Sequence, residues 1–298
     1  MPRTVVITGC STGFGRLAAL RHARQGDRVY ATMRGVDGKN RDNAGSLLAI
    51  AKAEGIDLRV LEMDVTSDAS VNAAAATVLA ESGAPDVVVN NAGQMYVGLA
   101  EAYTSDEVSR QMDVNVVGIH RVSRAFLPAM REKGDGLLIN VSSVAGRFGG
   151  PFFAVYNASK WAVEGYSLGI RGELASSGVD VVVVEPGPFT TELFPQAPAP
   201  ADADGRGAQY PAALHQAYEG MGAAFEEMFA SPEVNTDPEL VVDKFIELAN
   251  LAPGTRPFRS VVGFDFGVVG PMNDAAEPFY AQLLEGMGMA EVATIRPS

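Results

Sequence analysis

Short Val- and Ile-rich runs recur along the chain, separated by longer stretches in which apolar residues return every three to four positions. The pattern predicts strands at 4–8, 28–33, 58–63, 86–90, 136–141, 179–185 and, late in the chain, 258–263. Val87-Val88-Val89 and Val181 to Val184 are apolar at every position, so both faces of those strands must be covered. That is the habit of strands inside a parallel sheet with helices on each side. Helices are predicted between them at 13–25, 43–54, 67–82, 105–131 and 154–177. Strand–helix alternation of this kind specifies an α/β fold, a doubly wound, Rossmann-type parallel sheet of about seven strands, with ligands at the carboxyl ends of the strands.

The alternation breaks after Pro186. Residues 194–204 read FPQAPAPADAD, without periodicity. A helical stretch follows at 211–229, with Leu214, Tyr218, Met221, Phe225, Met228 and Phe229 at three-to-four spacing. That stripe fits either ordinary core or, because it lies on a long excursion from the sheet, a substrate lid over residues 194–230. No repeat or linker interrupts the chain, so residues 1–298 read as a single domain with a Met/Gly/Pro-rich C-terminal extension at 267–298.

Composition narrows the functions. Hydrophobic residues make up 47% and charged residues 20%, the mix of a globular protein with a sizeable core. A net charge of −13, with no run of Lys or Arg, argues against nucleic acid or anionic membrane as partners. It also means that an anionic cofactor must be gripped by a local device, because the overall field repels it. Cys10 is the single cysteine, so no intrachain disulfide is expected and a reducing compartment is the natural reading. The chain begins directly in a strand pattern, without the basic and apolar segments of a secretory signal. Its apolar runs fall short of the roughly 20 residues that span a bilayer. The expectation is a cytoplasmic protein with no metal.

Two short motifs carry chemistry. Thr8-Gly9-Cys10-Ser11-Thr12-Gly13-Phe14-Gly15 follows a strand and opens a helix. Glycines there permit a tight turn and let a pyrophosphate approach the N–H groups of the helix N-terminus, whose dipole favours negative charge. Tyr156 and Lys160 lie four apart on a predicted helix and therefore share a face. A free phenol titrates near about 10 and is a poor proton carrier at neutral pH. A cation close by favours the phenolate, so the pair would give a proton to a carbonyl or take one from an alcohol.

With Asn90-Asn91-Ala92-Gly93 after the fourth strand, Ser142-Ser143 after the fifth and Pro186-Gly187 after the sixth, residues 4–193 resemble the main subfamily of short-chain dehydrogenases/reductases. The resemblance implies that Tyr156 is the catalytic acid/base and that Lys160 activates it and hydrogen-bonds the nicotinamide ribose. It implies that Ser143, thirteen residues before the tyrosine, polarises the substrate oxygen, and that Asn115 anchors a water for proton relay. For the cofactor it implies Gly9, Ser11, Thr12, Gly13, Phe14 and Gly15 around the phosphates, and Asn91, Ala92 and Gly93 as the floor. Asp64 and Val65 would lie beside the adenine, and Asp64 also reads as an acidic residue ahead of a helix N-cap. Pro186, Gly187, Phe189 and Thr191 would border the nicotinamide.

The second strand ends in Arg34 with no Asp or Glu, although no basic residue reinforces it from the glycine loop. A guanidinium grips a 2′-phosphate and a carboxylate would repel one, so NADP(H) is favoured over NAD(H). The stretch RFGGPFFAV at 147–155 and the aromatic and Met stripe at 218–229 suggest an apolar pocket. Together with VYATMR they liken the chain to hydroxysteroid and retinol dehydrogenases of that family, hence a hydrophobic ketone or secondary alcohol as substrate. The alternatives are an NAD-dependent dehydrogenase of the same family and a catalytically silent NADP-binding regulatory protein. The second would typically lose Tyr or Lys, and this chain keeps both. The spacing at 8–15 disfavours the extended dehydratase or epimerase type, and the Tyr–Lys spacing disfavours an enoyl reductase. The family pairs the helices at 105–131 and 154–177 between subunits, implying a homodimer or homotetramer. The C-terminal extension would cover the active site of its own or a neighbouring subunit, or block an interface.

Overall fold

Seven strands form in the computed structural model of the chain, which describes residues 2–293. They are β1 (Thr4–Ile7), β2 (Arg28–Met33), β3 (Leu58–Glu62), β4 (Val87–Asn90), β5 (Gly136–Val141), β6 (Val179–Pro186) and β7 (Arg259–Val262). All pair in parallel, in the order β3-β2-β1-β4-β5-β6-β7. The order reverses between β1 and β4, which opens a crevice at their carboxyl ends.

The fully apolar strands feed two cores. On one face Val5, Ile7, Val29, Ala31, Val87, Val89, Leu137 and Ile139 pack with Leu47, Val241, Phe245 and Leu248. These last come from α2 (Arg41–Glu54) and α8 (Glu239–Asn250), beside α1 (Gly13–Arg24). On the other face Val6, Tyr30, Val88, Leu138 and Val181 meet Val71, Val78, Phe126, Met130 and Leu174. Those residues belong to α3 (Asp68–Ser82), α5 (Gly118–Lys133) and α6 (Ala154–Leu174). Alternate residues of one strand thus serve opposite cores, as the period of two requires.

The single helix expected over 105–131 is two helices. α4 (Ser105–Met112) and α5 are joined by a π-helical turn at Asp113–Val117. The physical cause is sideways bonding from the turn. Asn115 ties itself to the backbone of Gln94 and to Ser159 instead of continuing a regular helix. Such turns gather at functional sites.

Beyond β6 the chain forms α7 (Ala212–Ala230), in which no residue is fully buried. Leu214, Met221, Phe225, Met228 and Phe229 of the expected stripe are half-buried, and Tyr218 is exposed. α8 and α9 (Val269–Gly286) were not expected. α9 lies against its own chain: Tyr280 donates to the Leu168 carbonyl of α6 at 3.5 Å, and Glu277 accepts from Arg259 of β7 at 2.7 Å. Of the anticipated C-terminal extension, residues 294–298 lie outside the described residues. No helix among the described residues is long and apolar enough to cross a membrane.

Candidate active site

The loop after β1 is shaped by close backbone approach. Gly9 sits at φ +72°, and a Cβ there would lie 2.8 Å from Ala92 Cα. Only glycine meets both conditions. The loop is pinned to the segment after β4 by reciprocal bonds. Thr8 Oγ1 accepts from the N–H groups of Asn91 (3.0 Å) and Ala92 (2.9 Å), while Asn91 Nδ2 donates to Thr8 O at 2.8 Å. Gly13, at φ +56°, opens α1 with nothing within 4 Å of its Cβ position. Thr12 makes no side-chain cap, and the first turn of α1 holds no acidic residue. Donors presented at an uncapped positive helix end, beside an open glycine, are the chemistry a pyrophosphate requires. The residues present therefore fit a dinucleotide.

A cavity of about 700 Å³ lies along this loop at the carboxyl ends of the strands. It falls within the range of small-molecule sites, about 300–1,000 Å³. Its walls include Gly9, Ser11, Thr12, Gly13, Phe14, Arg34, Asp64, Val65, Asn91, Ala92, Gly93, Ser143, Tyr156, Lys160, Pro186, Gly187, Phe189 and Thr191. Two of the residues expected at the site are not in that lining. Gly15 is buried beneath the loop, where a Cβ would meet Gly9 O at 2.6 Å. Asn115 is 1% exposed and stands one layer back. Its Oδ1 accepts from Gln94 N at 2.9 Å, and its Nδ2 donates to Gln94 O at 3.0 Å and Ser159 Oγ at 3.0 Å.

Tyr156 and Lys160 project from α6, and Ser143 follows β5. Ser143 lies near enough to Tyr156 to lower its phenol, and its Oγ donates to Pro186 O at 3.3 Å, whereas Ser142 Oγ is buried without a partner among the described residues. Ser143 Oγ also accepts from Ala145 N at 3.1 Å. Asn157, beside Tyr156, donates to the carbonyls of Ala145 and Phe148, both at 2.8 Å, and so holds the loop after Ser143 against α6. Lys160 Nζ donates to Val141 O at 2.9 Å and lies 5.7 Å from the Tyr156 ring centre.

Electrostatics depart from the expected lowering of the phenol. Burial pushes Tyr156 up to about 12, opposed by the nearby Ser143. Burial also brings Lys160 down to about 8, opposed by the negative charge of Glu164. Desolvation is the largest cause of both shifts.

At the other end of the cavity Arg34 is joined by Lys39, which sequence reasoning missed. Lys39 folds back over Gly35, its Cγ 3.2 Å from the Cβ position there. Burial and the Arg34 charge lower its ammonium. Burial raises the Asp64 carboxyl, but both cations act on it across the cavity and help hold it below the usual range. The signal was a second basic residue in the loop after β2. Asp64 Oδ1 accepts from Thr66 N (2.9 Å) and Oγ1 (2.7 Å), and Ser67 caps α3. Asp64 thus stands ahead of the helix N-cap and also borders the cavity.

Opposite the glycine loop the walls are aromatic. Phe225 of α7 stands 6.2 Å from Phe153, 5.6 Å from Phe194 and 6.1 Å from Phe229, ring centre to centre. Phe148 meets Phe266 at 5.5 Å. Phe266 is held at φ +60°, a strained conformation for a bulky residue. Among the described residues no group of three or more His, Cys, Asp or Glu could hold a metal ion.

Residues 3–201 match the family model described as short chain dehydrogenase. The chain is 39% identical to a 3-ketodihydrosphingosine reductase of Bacteroides thetaiotaomicron over 64% of this chain and 65% of the relative. It is also 39% identical to the mouse 17-beta-hydroxysteroid dehydrogenase type 1, over 65% of this chain and 56% of the relative. The chain thus spans less than two thirds of the length of these curated relatives. A crystal structure of a short-chain dehydrogenase from Streptomyces avermitilis superposes with a TM-score of 0.72 at 29% identity, covering 97% of this chain and 98% of that one.

Proposed function

The chain belongs to the short-chain dehydrogenase family, and from that premise we propose that it moves a hydride between NADP(H) and a hydrophobic ketone or secondary alcohol. One observation carries the reading. Tyr156, Lys160 and Ser143 border the same cavity as the uncapped N-terminus of α1.

When bound, the nicotinamide supplies or takes up the hydride. In reduction Tyr156 gives its phenolic proton to the substrate oxygen, while the Ser143 hydroxyl donates to the same oxygen as charge develops on it. Lys160, as a cation, lowers the cost of the phenolate left behind and offers donors to ribose hydroxyls. Asn115 acts from behind, fixing Gln94 and Ser159. Ser11, Thr12 and Gly13 would hold the phosphates, and Arg34 and Lys39 would hold a 2′-phosphate. Asp64 and Val65 would border the adenine, and Phe189 and Thr191 the nicotinamide.

The substrate class is supported by the aromatic wall, where Phe148, Phe153, Phe225 and Phe229 offer apolar surface to a bulky ring or chain. Relatives named for a sphingoid ketone and for steroids agree with it. α7 serves as the lid in this reading: its Phe225 and Phe229 line the cavity, and its Met221 packs on the cluster of Met95, Val97 and Tyr156. Assembly as a homodimer or homotetramer through α5 and α6 belongs to the same reading, and Trp161 of α6 is 49% exposed there.

The test follows reduced-cofactor absorbance with NADPH or NADH over steroid, aromatic and long-chain ketones beside sugars and hydroxy acids. Turnover with NADPH and a bulky ketone that falls about 10²–10⁴-fold in Tyr156→Phe is expected. Full activity in that variant would remove the acid role. Preference for NADH would remove NADP, and faster turnover of sugars would remove the substrate class.

A further inference from the structure

Among the described residues, Phe152 and Phe266 are the two side chains other than glycine held on a left-handed backbone. Phe152 is packed into the fold: its carbonyl accepts from Gly98 N at 2.8 Å, and its ring meets Tyr218 of α7 at 5.1 Å. Phe266 instead lines the cavity, with 43% of its surface exposed. It sits in the loop between β7 and α9 at φ +60°. A bulky residue keeps such a conformation only where its surroundings impose it.

The surroundings do impose it. Gly263 and Gly267 on either side also take positive φ, and the Asp265 carboxylate closes the turn, accepting from Gly267 N at 2.9 Å and Gly270 N at 3.0 Å. The loop is seated on the segment after β6. A side chain at Gly187 would collide with the Phe264 carbonyl, and a Cβ at Gly263 would lie 2.6 Å from the Phe189 ring. Behind the loop, Asn273 of α9 accepts from Arg147 Nε at 2.7 Å and donates to Glu185 Oε2 at 2.5 Å. Arg147 immediately precedes Phe148, whose carbonyl accepts from Asn157, the neighbour of Tyr156, at 2.8 Å. Phe148 and Phe266 are therefore braced from both sides, with ring centres 5.5 Å apart at 76°. Both border the cavity that Ser143, Tyr156 and Lys160 line.

We propose that Phe266 and Phe148 form a rigid aromatic clamp that sets substrate specificity, selecting flat, ring-bearing ketones over straight chains. The ketone itself rests on the oxidoreductase reading; the preference for a ring, and the residues that impose it, go beyond that reading. Any apolar ligand that covers the exposed ring surface recovers the cost of leaving it in water. A flat ring gains more, because stacked or edge-to-face contact adds to the area that any apolar group would bury. A straight chain gains the area alone and loses its own flexibility on binding, so walls fixed in advance favour a ligand fixed in advance.

Calorimetric titration of the whole protein, with NADP⁺ present, tests the clamp with two ketones matched in carbon count, 2-acetylnaphthalene and 2-dodecanone. Phe266→Leu keeps an apolar side chain and removes the ring. It should weaken 2-acetylnaphthalene about fivefold and leave 2-dodecanone within about twofold. Phe266→Gly takes the left-handed backbone freely, so it should melt no lower than wild type while binding 2-acetylnaphthalene about tenfold more weakly. Equal weakening of both ketones in Phe266→Leu overturns the recognition of rings. Unchanged affinity in Phe266→Gly overturns the placement of Phe266 against the substrate, and so does a wild type that does not bind 2-acetylnaphthalene. The expected binding pattern without NADPH oxidation by any ketone supports the clamp and counts against the oxidoreductase reading, so the two fail separately.

Discussion

Replacing Arg34 by leucine removes the cation at the end of β2 without touching the strand. The β2 ladder is made by main chain, and Asn40 Nδ2 reaches Arg34 through its carbonyl oxygen at 2.7 Å. Arg34 is exposed at the cavity rim, so water screens its interaction with a phosphate in part. Two unit charges about 4 Å apart are worth about 4 kcal/mol at an effective dielectric constant of about 20 and about 1 kcal/mol in bulk water. A rim position lies between, and about 2 kcal/mol also matches a charge-assisted hydrogen bond. That is about a 30-fold rise in the NADP⁺ dissociation constant, since 1.4 kcal/mol is about tenfold. Adding Lys39→Ala should cost about another fivefold to tenfold, because this side chain lies over the same loop. NAD⁺ has no 2′-phosphate and should bind unchanged. Calorimetric titration with both dinucleotides at low and high salt checks this, and salt should shrink the difference between wild type and variant. Equal weakening of NADP⁺ and NAD⁺, or NADP⁺ binding within about twofold of wild type, would make Arg34 a merely solvated surface residue.

Three further outcomes follow from the same geometry. Lys160 is held at about 8 against an ordinary 10.5, so the unfolded chain binds more protons than the folded one between those values. Stability therefore rises with pH across that window, and wild type should gain up to about 3 kcal/mol on Lys160→Met in urea unfolding; a pH-independent difference would contradict it. Gly9→Ala places a Cβ 2.8 Å from Ala92 Cα at φ +72°, which should cost about 1–3 kcal/mol and weaken cofactor binding, whereas a cost below about 0.5 kcal/mol would refute the close approach. Phe225→Ala removes a half-buried ring from α7, worth about 1 kcal/mol, so KM for a bulky ketone should rise about fivefold while a small ketone is unaffected. A large loss of thermal stability with unchanged KM would assign α7 to the core instead.

The strands announced themselves because their burial on both faces left no polar position to hide them. Val87 to Val89 and Val181 to Val184 carry that signal without help from elsewhere in the chain. The glycine loop and the Tyr156–Lys160 pair were legible because backbone conformation and helical spacing are local properties. The break at 113–117 was not, since its cause is a bond from Asn115 to Gln94, 21 residues earlier. α9 also escaped. Its ties run to Glu185 and Arg147, 88 and 126 residues away, and its apolar residues Phe279 and Leu283 point outward rather than marking a buried stripe. Asn157 was overlooked between two more conspicuous neighbours, although it holds the loop that carries Ser143 toward the phenol.

Sequence reasoning failed most instructively on the sign of the tyrosine's shift. A cation four residues away argues for a lowered phenol, but the same packing that brings the pair together removes water from both groups. Burial raises Tyr156 to about 12 and lowers Lys160 to about 8, so the uncharged forms of both gain. Near neutral pH the phenol is then protonated and the ammonium retains its charge by a narrow margin. A protonated phenol beside a charged lysine is the state that would donate to a carbonyl in the proposed reaction. Oxidation needs the phenolate and should accelerate as pH rises, up to the point at which Lys160 loses its proton. Whatever anion sustains that proton decides how far the alkaline range extends. Glu164 is the carboxylate whose charge opposes the effect of burial on Lys160.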